Sequence, residues 1–291
     1  MNLNPSNKLS LLNLAILITA VALPYVSAAH DFHSADNKIN TVESTARYLG
    51  NEGILIESGE YKILFDPFFH QNFGQYALVP ETIRTALFDN KPPYDDVDLL
   101  MISHAHDDHF DAKDVLRYLQ LRPQVQLIAP NQAVDQLATM SGFKNIKSRV
   151  HGVLLAKDEA PKNISLKGLV IEAIRIPHAG WPGRADIENL VFRVTNKEQL
   201  TVMHLGDADP NLEHFEPFEG FFSQQRTHVA FPPYWFALSV SGRLLLDETL
   251  NADRTIGVHV PVNVPQSLKN SGYNYFSLPG QVVTIKSQSN E

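Results

Sequence analysis

One short stretch of the chain concentrates side chains that bind metals. SHAHDDHFD, residues 103–111, holds three histidines and three aspartates in nine positions, directly after the apolar run VDLLMI. His104 and His106 are two residues apart, so both can lean towards one point in an extended or turning backbone. Asp108 and His109 follow on a turn that can face a second point nearby. Neutral imidazole and carboxylate are the ligands that zinc and its neighbours prefer, so this loop supplies four candidate metal ligands.

The simplest alternative is a polar loop in which the histidines have no function. A lone histidine would favour that alternative. A metal needs three or four protein ligands, so the metal hypothesis requires further ligands at other strand ends. Three such residues follow in the sequence. LVIEAIRIPHAG ends a strand at His178, TVMHLGDAD ends another at Asp207 beside Gly206, and TIGVHVP ends a third at His259. Each alone could be an ordinary polar residue at a strand end, but together they favour a metal site.

The hydrophobic pattern predicts the elements that would position these residues. Short apolar or alternating runs predict strands at 53–57, 61–65, 97–103, 125–130, 169–176, 190–195, 201–205, 227–231 and 255–260. Helical periodicity predicts helices at 112–121, with Asp111 as the N-cap, at 131–142 and near 242–250. The segment 67–96 is predicted to be a loop. Asp66 directly follows the second predicted strand, 61–65.

Composition limits the class of protein. The chain has 291 residues and 44% hydrophobic content, with no linker or internal repeat, which predicts a single domain over residues 29–291. Its formal net charge of −8 disfavours general nucleic-acid binding. It contains no cysteine, which excludes disulfides, thiolate metal ligands and cysteine nucleophiles.

The amino terminus has the pattern of a secretory signal peptide. Lys8 precedes the apolar stretch 11–23, and Pro24 and small residues follow, with cleavage expected after Ala28. A membrane anchor is the alternative, but a span needs about 20 apolar residues and this stretch is shorter. Residues 1–28 are therefore predicted to be a signal peptide that exports the protein to the periplasm or beyond.

The order of these residues resembles a known family. Asp66, HAHDDH (104–109), His178, Asp207 and His259 are similar to the five successive motifs of the metallo-β-lactamase superfamily, including its signature His-x-His-x-Asp-His. The resemblance covers the chain from Gly50 to His259. It implies an α/β fold of the αβ/βα type: two mixed sheets face to face, helices outside, and a metal site along one edge.

The resemblance also implies roles for individual residues. The first metal would be bound by His104, His106 and His178, the second by Asp108, His109 and His259, with Asp207 bridging the two. Asp66 would orient ligands without binding metal, and Asp66 and Asp108 are the implied catalytic residues. The implied cofactors are two divalent metal ions, zinc being favoured over manganese or iron.

Departures from the commonest pattern indicate a branch and a reaction. DHFD replaces the Gly-Gly that often follows the central motif, and with GILIESGEYKILFDPFF this resembles the branch of ascorbate-phosphate lactonases and N-acyl-phosphatidylethanolamine phospholipase D. The implied function is hydrolysis of an ester-like bond, phosphodiester or lactone favoured, by a hydroxide between two cations about 3.5–4 Å apart. Alternatives are a non-catalytic metal-binding member or a diiron oxidoreductase, and His106 in place of the usual glutamate disfavours the latter.

The substrate is expected to be a small or lipid-like molecule, held by loops 67–96, 179–188 and 232–241. Their candidate contact residues are Phe69, His70, Phe73, Trp181, Arg184, Tyr234 and Trp235. Aromatic rings with one cation suit an amphipathic or anionic substrate, although the rings could equally pack the loops onto the core. His204 is expected to pack near the site without binding metal.

Overall fold

The computed structural model describes residues 43–286. The predicted signal peptide at 1–28, with its cleavage site, lies outside the described residues. Among the described residues, no helix is long and apolar enough to cross a membrane.

Fourteen strands and six α-helices make up the described chain. The strands are β1 (Ser44–Gly50), β2 (Gly53–Ser58), β3 (Tyr61–Phe65), β4 (Leu99–Met101), β5 (Gln126–Pro130), β6 (Val150–Val153), β7 (Lys162–Leu166), β8 (Leu169–Arg175), β9 (Leu190–Thr195), β10 (Thr201–His204), β11 (Val229–Phe231), β12 (Ile256–Gly257), β13 (Asn274–Tyr275) and β14 (Val282–Ile285). The helices are α1 (Glu81–Asp89), α2 (Ala112–Leu121), α3 (Asn131–Ala138), α4 (Glu219–Gln224), α5 (Val240–Leu244), continued by a π-helical turn at Leu245–Thr249, and α6 (Gln266–Lys269).

Two mixed sheets form the centre of the fold. The first has seven strands in the order β14-β1-β2-β3-β4-β5-β6, with β3 to β6 parallel to one another. The second has five strands in the order β11-β10-β9-β8-β7, antiparallel except for the β10–β11 pair. Strands β12 and β13 form a short separate pair.

The two sheets pack face to face, and helices cover their outer faces. One apolar cluster joins Phe65 and Met101 of the first sheet to Phe192 and Val202 of the second. A second cluster packs the opposite face of the first sheet against α1, α2 and α3. A third packs the outer face of the second sheet against α4, the π-helical turn at Leu245–Thr249 and neighbouring turns. This four-layer arrangement confirms the predicted αβ/βα sandwich.

Helix α2 shows how the predicted local signals operate. It spans the predicted range, and the side chain of Asp111 accepts a hydrogen bond from the backbone N of Asp114 at 2.8 Å. Val115 and Leu119, one turn apart, are fully buried against the first sheet. The cap fixes the start of the helix immediately after the histidine-rich loop.

The prediction that 67–96 is a loop is wrong, because this segment contains α1. Ile83 and Leu87 lie one turn apart and are buried in the cluster under the first sheet. The prolines bracket this helix without interrupting it, since Pro80 precedes its first residue and Pro92 follows its end.

Other differences concern the lengths of elements. Strand β4 is three residues long where seven were predicted, α3 ends at Ala138, and β12 covers two residues of the predicted 255–260. Strands β1, β6, β7, β13 and β14 were not predicted. Most of these strands lie at or near the edges of sheets. There, fewer neighbouring strands bury their side chains, so apolar and polar residues alternate less clearly in the sequence.

The N-cap of α2 gives a test of this local analysis. Asp111→Ala removes the acceptor for the backbone N of Asp114 and is expected to lower the free energy of unfolding by about 1 kcal/mol. Urea denaturation followed by circular dichroism measures the change. Lys113→Ala, at an exposed position of the same helical turn, is expected to change stability by less than about 0.5 kcal/mol. Equal effects of the two substitutions would contradict a capping role for Asp111.

Candidate metal centre

Strand ends from both sheets meet at one edge of the sandwich. Strands β3 and β4 are parallel neighbours, so Asp66 and the loop beginning at Ser103 emerge side by side. In the second sheet β8 and β10 run in the same direction, which brings His178 and Asp207 to that edge. The backbone N of Leu190, at the start of β9, donates to the carbonyl of Ser103 at 2.9 Å and joins the sheets there.

The structure brings all seven predicted ligands together in two groups. One group contains His104, His106, His178 and Asp207, and the other contains Asp108, His109 and His259. All are buried except His106, which is half-buried. Within each group the candidate ligand atoms lie within 4.8 Å of one another.

Asp207 lies between the two groups, with one carboxylate oxygen facing each. Its Oδ2 is 3.2 Å from His178 Nε2 and 3.9 Å from His104 Nε2. Its Oδ1 is 3.3 Å from His109 Nε2 and 3.4 Å from His259 Nε2. This placement is what a carboxylate shared by two cations requires.

The spacing of the ligand atoms fits a metal. Two ligand atoms bound at 2.0–2.1 Å to a tetrahedral zinc lie about 3.3 Å apart. His104 Nε2 is 3.1 Å from His106 Nδ1, and His259 Nε2 is 3.3 Å from Asp108 Oδ2. These distances and three of the four around Asp207 lie close to the expected separation, and the distance from Asp207 Oδ2 to His104 Nε2, 3.9 Å, is longer.

Several of these atoms are buried without a hydrogen-bond partner. They are His109 Nε2, His178 Nε2, His259 Nε2 and Asp207 Oδ1. A buried polar atom without a partner costs about 1–3 kcal/mol, so four in one place favour a bound ligand over a purely structural polar cluster. Bound cations would satisfy all four.

Asp66 fixes the orientation of two imidazoles. Its Oδ2 accepts from His109 Nδ1 at 3.0 Å and from the Ser103 hydroxyl at 2.5 Å. Because that hydroxyl donates to Asp66, its oxygen accepts from His104 Nδ1 at 3.0 Å. Both rings therefore present Nε2 to the centre, which is the orienting role expected of a carboxylate behind metal-binding histidines.

The second sheet orients the other ligands through its backbone. His178 Nδ1 donates to the carbonyl of Ala179 at 2.7 Å, which leaves Nε2 free. The Asn189 amide donates to the carbonyls of Ile176 and Leu205, and its Oδ1 accepts from the backbone N of Asp207 at 3.0 Å. Gly206 has φ +53, and a Cβ there would collide with Asn189 and Ser103, so the close approach of these segments requires glycine.

The electrostatics of the centre depend on burial and on the carboxylates. Burial lowers the pKa of His104 well below its usual value, so this imidazole is neutral and able to bind a cation. Burial alone would also lower the pKa of His109, but the charge of Asp207, whose Oδ1 is 3.3 Å from His109 Nε2, and the hydrogen bond with Asp66 raise it well above the usual value. Burial would raise the pKa of Asp207, but the neighbouring His259 and His109 hold it well below.

Glu52 is an unexpected member of the centre. It is completely buried, both carboxyl oxygens lack hydrogen-bond partners, and its Oε2 lies 3.9 Å from His109 Nδ1 and 3.7 Å from His204 Nε2. Burial, reinforced by the charge of Asp207, raises the pKa of Glu52 well above its usual value. Glu52 was not predicted, because it lies in the turn between β1 and β2 and β1 itself was not predicted.

His204 packs behind the centre, in agreement with the sequence analysis. Its Nε2 donates to the carbonyl of Glu52 at 3.0 Å, and its Nδ1 accepts from the backbone N of Gly206. Its ring stacks on Phe65 with centroids 4.9 Å apart. Both nitrogens are thus occupied by protein groups.

A cleft of about 580 Å³ opens onto the two groups. Three of the predicted substrate residues line it, Phe73, Arg184 and Trp235, together with Gln75 and Tyr76, which the sequence analysis missed. The other four predicted contacts do not line it. Phe69 is buried in the core, His70 contacts Asp114, Trp181 packs on His214, and Tyr234 lies beside Trp235.

Known proteins share both the sequence pattern and the fold. The Beta-lactamase superfamily domain matches residues 45–220, more than half of the chain. UPF0173 protein YddR of Bacillus subtilis is 35% identical over 107 residues, 33% of this chain and 40% of that protein. A UPF0173 metal-dependent hydrolase of Pyrococcus horikoshii is 26% identical over 163 residues, 56% of this chain and 60% of that protein. The chain thus spans about half the length of these curated relatives.

A solved structure reproduces the architecture over most of the chain. Igni18, described as a novel metallo hydrolase from Ignicoccus hospitalis, superimposes with a TM-score of 0.58 and 18% identity. The superposition covers 84% of this chain and 100% of Igni18. At this identity the likeness concerns the fold.

The buried carboxyl of Glu52 predicts how the stability of the metal-free protein depends on pH. Because its pKa is higher in the folded protein than in the unfolded chain, the folded state holds a proton that the unfolded state releases. The stability contributed by Glu52 is therefore lost as pH rises above the ordinary carboxyl value of 4.5. Urea denaturation after chelation should show a smaller loss of stability between about pH 5 and about pH 7 in Glu52→Gln than in the unchanged protein.

Glu60→Gln, at an exposed position in the turn between β2 and β3, is the matched control and should leave the pH dependence unchanged. If Glu52→Gln and Glu60→Gln gave the same pH dependence, the buried carboxyl would have no part in it.

Proposed function

Because this chain belongs to the β-lactamase superfamily, we propose that it is a metal-dependent hydrolase that uses two divalent cations, zinc being favoured, to cleave an ester-like bond. The observation that carries the proposal is the position of Asp207, with one oxygen facing each group of histidines. The name of the relative from Pyrococcus horikoshii, a metal-dependent hydrolase, supports the same reaction class.

The proposed division of ligands follows the two groups. His104, His106 and His178 would hold the first cation, Asp108, His109 and His259 the second, and Asp207 both. When bound, two such cations supply a hydroxide nucleophile at neutral pH and polarise the oxygen of the bond under attack. The described lining of the cleft contains no serine, threonine or cysteine that could act as a nucleophile instead.

The remaining residues have positioning roles in this proposal. Asp66 holds His109 directly and His104 through Ser103, so it keeps both imidazoles aimed at the centre. Burial would raise the pKa of Asp108, but the close contact with His259, whose Nε2 is 3.3 Å from Asp108 Oδ2, and the charge of His109 lower it, so this carboxylate stays ionised beside the cleft. Asn51 Nδ2 donates to the Asp108 carbonyl at 2.9 Å and fixes that loop.

The favoured substrates are phosphodiesters or lactones of small or lipid-like molecules. The cleft has aromatic walls from Phe73, Tyr76 and Trp235, which suit a substrate with an apolar part. A non-catalytic metal-binding protein would not need an open cleft beside the ligands, and a diiron oxidoreductase is disfavoured by His106 at the position where that branch carries glutamate.

Metal analysis and a hydrolysis assay test the proposal together. Purified protein is expected to contain about two divalent ions per chain and to hydrolyse at least one member of a panel of phosphodiesters, lactones and β-lactams. His106→Ala and Asp207→Ala are expected to lose metal and activity together. His151→Ala, which removes a half-buried histidine bonded to Gln126, should keep both. Full metal content with no turnover on the panel would favour the non-catalytic alternative.

We also propose that the protein acts after export, from the signal-like pattern of residues 1–28. Expression of the full chain in a bacterium, followed by amino-terminal sequencing of the periplasmic protein, should find a chain beginning at Ala29. Recovery of uncleaved chain from the cytoplasm alone would refute export.

A further inference from the structure

We propose that Arg184 binds an anionic oxygen of the substrate at or next to the scissile bond, so that the enzyme selects anionic esters over neutral ones. This inference rests on the proposed hydrolase function and specifies its substrate class. The shared chemistry is a negatively charged oxygen. It could belong to the reacting group, as in a phosphodiester, or to a carboxylate beside a carboxylic ester.

The position of the guanidinium restricts where that charge must lie. Arg184 Nη1 is 3.5 Å from Nδ1 of His178, whose Nε2 is in turn 3.2 Å from Asp207 Oδ2. The arginine thus lies one imidazole ring away from the ligand atoms of the first group. A substrate anion bound there is adjacent to the reacting bond and not at a distant end of the molecule.

The positive charge of Arg184 has no carboxylate partner within the described part of the chain. No carboxylate of residues 43–286 makes an ion pair with it, whereas Arg193 pairs with Glu172 and Arg175 donates to backbone carbonyls. The contact with His178 is not a hydrogen bond to a free acceptor, because His178 Nδ1 already donates its proton to the carbonyl of Ala179. Arg184 is therefore not required to orient that ligand.

The loop that carries Arg184 is fixed while its side chain is free. Arg175 donates to the carbonyl of Ala185 at 3.0 Å, and the Gln132 side chain donates to the carbonyl of Asp186 at 2.7 Å. The Glu188 carboxylate accepts from the backbone N of Gln132 at 2.9 Å, which ties the end of the loop to the start of α3. A backbone anchored directly after an unpaired, exposed guanidinium is an arrangement suited to a ligand.

The guanidinium of Arg184 lies among acidic groups. The chain carries a net charge of −8, and the described lining of the cleft includes Asp107, Asp108 and Asp207. Arg184 is the only lysine or arginine in that lining. An arginine can bind a carboxylate or a phosphoryl group through two parallel hydrogen bonds, which a lysine cannot reproduce.

Three chromogenic substrates and three variants test the inference in the metal-loaded full chain. The substrates are bis(4-nitrophenyl) phosphate, 4-nitrophenyl hydrogen succinate and neutral 4-nitrophenyl acetate. Arg184→Met is expected to lower kcat/KM at least about tenfold for whichever anionic substrate is used, and less than about twofold for the neutral ester. The kcat/KM of Arg184→Lys for the anionic substrate should lie between those of the unchanged protein and of Arg184→Met, because lysine keeps the charge but not the paired hydrogen bonds. Arg254→Met, at an exposed position outside the cleft, should behave like the unchanged protein.

The two anionic substrates distinguish the sources of the charge. Loss confined to the phosphodiester assigns Arg184 to the reacting group, and loss confined to the succinate ester assigns it to a neighbouring carboxylate. An equal loss on the neutral ester, or no loss on either anionic substrate, would overturn the inference.

Binding of inorganic phosphate separates this inference from the proposed function. Calorimetric titration of the metal-loaded protein is expected to show phosphate binding that Arg184→Met weakens about tenfold and Arg254→Met leaves unchanged. If the protein hydrolysed none of the substrates but gave this pattern, the proposed function would fail while the anion site stood. Identical phosphate affinity in all variants would refute the anion site even if hydrolysis were observed.

Discussion

The arrangement around Asp207 is the constraint on which the rest of the site depends. A single carboxylate must face two groups of imidazoles, each within about the separation of ligands on one metal. The unpaired ring nitrogens can point at one another only if the backbone holds them there, since free side chains would turn to find other partners. A rigid frame is therefore a condition for this centre.

The sandwich provides that frame by ending strands of both sheets at one edge. The bond between Leu190 N and the Ser103 carbonyl joins the sheets at the centre itself, and Asn189 ties the ends of β8 and β10 to the backbone of Asp207. The site also uses unusual backbone: Asn51, Asp66 and His259 all have positive φ values, of 46°, 40° and 57°. Such conformations cost of order 1–3 kcal/mol each and persist only where the surrounding packing fixes them. The large apolar clusters on both sides of each sheet supply that packing.

The sequence allowed much of this to be predicted, for identifiable reasons. Ligand-type residues that follow apolar strands leave a local pattern, so the seven residues that the structure brings together could be named in advance. Helix α2 and its cap were likewise readable, because the cap and the apolar spacing lie within one short segment. Helix α1 was missed because its bracketing prolines suggested a loop. Asn189 and Glu52 were missed because their importance arises from contacts with segments far away in the chain, such as Ile176 for the one and His204 for the other.

Glu52 shows why the centre cannot be understood as a set of ligands alone. Four acidic side chains, Glu52, Asp66, Asp108 and Asp207, lie buried within this small volume, and Arg184 lines the cleft next to His178. A buried carboxyl without hydrogen-bond donors destabilises a fold unless positive charge lies near it. Two divalent cations would offset the charge of the acidic groups and satisfy the unpaired nitrogens at the same time. The side chains that weaken the metal-free fold are thus those that would strengthen cation binding, which couples occupancy of the centre to the stability of the whole sandwich.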